Sequence, residues 1–159
     1  MKEKYQKQLE KWTRLKCSDI LFDSDVDNWS EETSQLIERI IGKKQLTFLI
    51  ENENGELFGY YYDNINRVKF HFKFESSMNS YNQKFVATNL NLTGEYYYDK
   101  SDDWLIKIGD IYLRKENLKY DNYIEYETWG GEYIFDYYYD DLCRNDHFET
   151  KRIVVIQMN

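Results

Sequence analysis

A chain of 159 residues with 42% hydrophobic, 18% aromatic and 31% charged residues has the length of one domain and enough apolar side chains for a packed core, which excludes a disordered tail. Its 29 acidic against 21 basic side chains leave a formal charge of −8, a field that repels phosphate backbones and anionic bilayers and argues against non-specific nucleic-acid or membrane-surface binding. The first ten residues are charged and lack the apolar stretch of a signal peptide, and the longest aliphatic run, Ile153 to Ile156, falls far short of the ~20 residues of a membrane span. Two cysteines, Cys17 and Cys143, are too few for a disulfide framework. These features predict a soluble cytoplasmic protein, with the nucleus as the alternative, a monomer without cofactor or membrane insertion.

Tyr5, Leu9, Trp12 and Leu15 recur at spacings of four and three, which predicts an amphipathic helix in the N-terminal segment, residues 1–19. A second helix is expected over Glu31–Ile41. Ser30 stands at its N-cap, Glu31 and Glu32 in its first turn, Leu36, Ile37, Ile40 and Ile41 form its apolar stripe, and Gly42 follows as C′. After it the pattern is β throughout. Gln45–Glu51 and Glu56–Tyr62 flank Asn54-Gly55, which predicts a hairpin with positive φ at both turn positions. Over Arg67–Phe74, Val68, Phe70, Phe72 and Phe74 alternate with Lys69, His71 and Lys73, so the phenylalanines are expected in the core and His71 on a solvated face. Further strands are expected at 84–88, 95–98, 104–108, 111–114, 123–126, 133–135 and 152–158. Short strands at this density predict an α+β, mostly β fold: two antiparallel sheets packed face to face, with helices outside.

Three groups of residues invite a chemical reading. Asp23, Asp25 and Asp27 open like a calcium loop, yet Asn28 and Ser34 stand where glycine and the bidentate glutamate belong, so an acidic turn is the simpler reading. Cys143 and His147, four apart, would share one face of a helix and could form a thiol nucleophile and base, with nothing local to make a sharp nucleophile turn. Tyr-Tyr-Tyr-Asp occurs three times. Tyr60, Tyr61, Tyr62 with Asp63, and Tyr137, Tyr138, Tyr139 with Asp140, read as strand ends with hydroxyls at the surface, an aromatic face that could meet a partner. The chain contains no phosphate loop, dinucleotide turn, serine elbow or zinc-protease helix, and a non-enzymatic role is expected.

Taken in order, the strand and turn pieces resemble the TLDc domain of oxidation-resistance proteins and regulators of the vacuolar proton pump. Ile20-Leu21-Phe22-Asp23-Ser24 and Asp27-Asn28-Trp29-Ser30 resemble the family's first strand and Asp-Gly-x-Ser turn, with Asn28 for glycine. Leu46 to Glu51 and Asn54-Gly55-Glu56-Leu57-Phe58-Gly59-Tyr60 resemble its hairpin, the most specific element. Phe70 to Phe74, Gly109-Asp110 with the strand residues around them, Gly130 to Tyr133 and Leu142 to Phe148 follow in family order, and Arg152 to Met158 resembles the closing strand, with Gln157 where glutamate is usual. The resemblance spans residues 20–159 and implies a two-sheet sandwich that binds protein partners, V-ATPase subunits among them, in oxidative-stress response or pump regulation, with no established reaction. Asp27, Ser30, Gly55, Phe58, Gly59, Gly109, Asp110 and Gln157 are the residues it singles out; Gly59 and Gly109 are expected where backbone geometry leaves no room for a side chain.

Overall fold

The computed structural model describes residues 2–29, 35–64, 67–75, 81–86, 96–97, 104–108, 111–114, 122–124, 128–129, 132–133 and 147–159. In chain order they form α1 (Glu3–Thr13), β1 (Cys17–Asp23), α2 (Leu36–Ile40), β2 (Leu46–Asn52), β3 (Leu57–Asn64), β4 (Arg67–Lys73), β5 (Gln83–Val86), β6 (Tyr96–Tyr97), β7 (Trp104–Ile108), β8 (Ile111–Arg114), β9 (Asn122–Ile124), β10 (Thr128–Trp129), β11 (Glu132–Tyr133), β12 (His147–Phe148) and β13 (Thr150–Met158). Six strands make one antiparallel sheet in the order β1-β13-β2-β3-β4-β5. Five make a second, β12-β9-β8-β7-β6, and β10 pairs with β11. The fold is α+β and mostly β, as the periodicity predicts. Among the described residues no helix is long and apolar enough to cross a membrane.

The central strands of the six-stranded sheet are buried on both faces, and this decides which residues they require. One face meets the second sheet. Phe48 and Ile50 from β2, Phe58, Tyr60 and Tyr62 from β3, and Ile153 and Val155 from β13 pack there against Leu105, Ile106, Ile111, Leu113 and Phe148, with Phe58 edge-on to Phe148 at 5.3 Å between ring centroids. Leu36, Ile37 and Ile40 of α2 close the same core. The other face carries Leu49, Tyr61, Phe70, Phe72, Phe74, Val154, Ile156 and Met158 beneath α1, whose Tyr5, Leu9 and Trp12 rest on them. Trp12 stacks on Phe74 at 5.6 Å and meets Phe72 at 5.7 Å. A strand covered on both sides has no solvent face to fill with polar groups, so Ile153 to Ile156 reads as an unbroken apolar run.

Two expectations change on this account. Phe70, Phe72 and Phe74 are buried, but in the layer under α1 rather than between the sheets. His71 is not solvated: it is fully buried on the opposite face, edge-on to Tyr60 at 5.5 Å and tilted against Phe85 at 4.7 Å. Strict alternation told two faces apart and was silent on what covers each. The aromatic face expected at Tyr60, Tyr61 and Tyr62 is also corrected, because all three rings are buried, Tyr60 and Tyr62 between the sheets and Tyr61 under α1. Burial lifts the Tyr61 hydroxyl to about 12, with the Asp63 carboxylate pushing the same way.

Local signals place the remaining elements. α1 ends where Arg14 takes left-handed φ 62° and donates its N–H to the Glu10 carbonyl at 2.9 Å, so Leu15 lies past the helix yet still packs on the same layer. α2 is described only from Leu36, and Ser30, Glu31 and Glu32 lie outside the described residues; Gly42 follows at φ 73°, as expected of C′. The β2–β3 hairpin uses a three-residue loop instead of the two-residue turn. Gly55 N–H donates to the Asn52 carbonyl at 3.0 Å, and Gly55 alone takes positive φ. The Asn52 side-chain oxygen accepts the N–H groups of Asn54 at 3.1 Å and Glu56 at 2.9 Å, which makes Asn54 a backbone donor here rather than a left-handed turn residue.

Replacing Phe72 by alanine removes a ring buried against Trp12 and is expected to cost about 3–5 kcal/mol in urea unfolding; an unchanged midpoint would refute its placement under α1. His71 gives a second test. Desolvation first, and the nearby Lys73 charge second, hold its folded pKa well below 6.5. The unfolded chain therefore binds a proton near that pH that the folded chain refuses, and stability falls as pH drops below ~6.5, by up to about 1.4 kcal/mol per unit until the folded His71 itself titrates. His71→Leu is expected to flatten this slope in urea titrations between about pH 5 and 7.5; identical slopes would place His71 in water.

Candidate binding site

The face under α1 is only partly covered. Eleven helical residues reach about 16 Å, whereas the nine residues of β13 reach about 30 Å, so one end of the strand runs out from beneath the helix. A cavity of about 310 Å³ opens there, at the N-terminal end of α1. Leu49, Leu57 and Val154 form its apolar floor, Tyr5 and Gly55 its walls, and Lys2, Glu51 and Arg152 its polar lining. Register explains the grouping. Arg152 pairs across from Glu51, two positions before Val154 and two after Leu49 on their strands, so all four share the outer face.

Arg152 is fixed from behind. Its Nε donates to Asp23 Oδ1 at 2.9 Å and its Nη2 to Asp23 Oδ2 at 2.5 Å, and Asp25 Oδ2 lies 2.9 Å from Nε. This fork holds the Asp23 carboxyl below its ordinary range, chiefly through the Arg152 hydrogen bonds against some desolvation. Asp27 is held likewise by Arg39, with Nη1 2.9 Å from Oδ2 and Nη2 2.8 Å from Oδ1, while its Oδ2 also accepts the Asp23 N–H at 2.8 Å. The three carboxylates of the calcium-like turn are thus engaged by two guanidinium groups, joining β1 to β13 and to α2. Among the described residues no three His, Cys, Asp or Glu side chains gather as a metal set.

The other residues singled out by sequence serve the scaffold. Phe58 lies in the inter-sheet core. A Cβ on Gly59 would collide with the Phe48 carbonyl, coming within 2.9 Å of its carbon, so the backbone of β2 leaves this position to glycine. Gly55 closes the hairpin. Gln157 donates from Nε2 to the Lys44 carbonyl at 2.5 Å, tying β13 to the chain entering β2, and Asp63 pairs with Lys69 at 3.3 Å. His147 is exposed in the strand β12, and Cys143 lies outside the described residues. Ser30, Gly109, Asp110, Tyr137, Tyr138, Tyr139 and Asp140 lie outside them too.

Sequence reasoning missed the cavity residues Lys2, Glu51 and Arg152. The available signal was a charge closing an apolar run in β2 and another opening one in β13, on positions that alternation assigns to the same face. No protein-family model matches the chain, and no curated protein matches it.

Cys17 offers a chemical check on the packing at the other end of β13, where it pairs with Met158. Burial, then the Glu10 carboxylate, lift its thiol to about 11 against the opposing charge of Lys16, and its Sγ lies 3.7 Å from Met158 Sδ. About one molecule in ten thousand then carries the thiolate at pH 7. In a Cys143→Ser background, labelling of Cys17 by a disulfide reagent is expected to be far slower than that of a free thiol and to accelerate in denaturant. A rate equal to that of free glutathione would contradict this.

Proposed function

We propose that this chain is a non-enzymatic interaction module that docks a protein partner at the open end of its helix-covered face, acting in stress response or V-ATPase regulation as its resemblance to the TLDc domain implies. The observation that supports docking is the cavity: an apolar floor of Leu49, Leu57 and Val154 beneath charged side chains, next to a helix, is the form in which one anchoring side chain is desolvated while its neighbours are oriented. The residues that carry the resemblance and are described hold the fold, so partner contact falls to what remains open. The formal charge of −8 favours a basic partner and salt-sensitive association, because exposed charges are screened within ~8–10 Å at physiological ionic strength.

The test is capture from a lysate that contains assembled V-ATPase, at low and at high salt, with the wild-type chain and with Leu57→Asp, which places a charge on the cavity floor. Retention of pump subunits at low salt, lost at high salt and lost in the variant with its melting temperature kept near wild type, is the expected result. Absence of pump subunits at every salt concentration would end the V-ATPase assignment, and equal retention by the variant would move the docking site elsewhere.

A further inference from the structure

The charges around the cavity say what kind of side chain it takes. Arg152 is hydrogen-bonded to Asp23 and ion-paired with Asp25, and the Glu51 charge across the strand pair acts on it only at longer range. Glu51 is half-buried, and among the described residues its carboxylate has no hydrogen bond or ion pair. Lys2 is exposed at the mouth and is not bridged to Glu51 either. The adjoining hairpin tip adds Glu53 and Glu56 against Lys151, whose Nζ donates to the Glu53 carbonyl at 2.6 Å. Counting the side chains that adjoin the lining, five carboxylates (Asp23, Asp25, Glu51, Glu53 and Glu56) stand against three cations (Lys2, Lys151 and Arg152), and Glu51 is the carboxylate that lines the cavity itself.

We propose that Glu51 is the specificity residue of this cavity, and that the partner segment it takes presents an apolar side chain next to a lysine or arginine. This rests on the docking reading above and adds the chemistry of the docked segment. The apolar side chain covers Leu49, Leu57 and Val154, and the neighbouring cation meets Glu51 at the edge, where a half-buried carboxylate is screened less than one in open water. An acidic neighbour in the same place would face Glu51, with the Arg152 cation already bonded to Asp23 and Asp25 and Lys2 the other cation of the lining.

The probes are two blocked dipeptides, acetyl-leucyl-arginine amide and acetyl-leucyl-glutamate amide, titrated into isotopically labelled full-length protein while the amide resonances of Glu51, Leu57 and Val154 are followed. The arginine peptide is expected to shift these amides saturably and to bind about five-fold more tightly than the glutamate peptide, the size of a favourable exposed ion pair. Glu51→Gln, checked by its melting curve, is expected to bring the two peptides within about two-fold of each other. Lys2→Glu, at an exposed position that carries no packing, is expected to widen the gap. Equal binding of both peptides to the wild type, or an unchanged ratio in Glu51→Gln, overturns the role of Glu51 and leaves the docking site standing. No shift of the cavity amides with either peptide overturns the docking site as well.

Discussion

Everything in this molecule depends on a sheet that must be covered on both faces. β13 is the strand that makes the requirement plain. Lying between β1 and β2, it sends Ile153 and Val155 into the inter-sheet core and Val154, Ile156 and Met158 under α1. Neither cover suffices alone, since loss of either would expose a continuous aromatic and aliphatic surface of the kind that drives association. The second sheet with α2 seals one side, and a helix of eleven residues seals most of the other. The cavity is what remains when so short a helix meets so long a strand.

Polar groups inside this arrangement are used as fasteners. Asp23 grips Arg152 across the β1–β13 pair, Asp27 grips Arg39 between the turn and α2, and buried Asn52 shapes the hairpin through both ends of its amide. Asn122 performs a similar task in the second sheet, accepting the Arg114 N–H at 2.6 Å and donating to the Phe148 carbonyl at 3.2 Å. Charged hydrogen bonds of this kind hold direction as well as distance. They explain why an acidic turn with calcium-like spacing is satisfied by protein cations.

Strands with sharp boundaries were legible: 104–108 and 111–114 form as the pattern predicts, and the Asn54-Gly55 hairpin forms with a longer loop. His71 and the tyrosines of β3 were misplaced because a period of two separates faces without naming their covers. α1, which lies outside the family resemblance, is the cover that the reading of β4 lacked. The candidate site was hidden for a different reason. Lys2, Glu51 and Arg152 come from three distant segments, and only tertiary register brings them to one place.

The central position of β13 also orders events during synthesis. β1 and β2 are not neighbours in the sheet; each waits for a strand that the ribosome delivers after all the others, with Asp23 and Arg152 separated by 129 residues. At ordinary translation speeds that interval is on the order of ten seconds. Through it the nascent chain carries β1 as an unpaired edge and the β2–β3 hairpin without its inner neighbour, a state that invites chaperones before the final strand slots home.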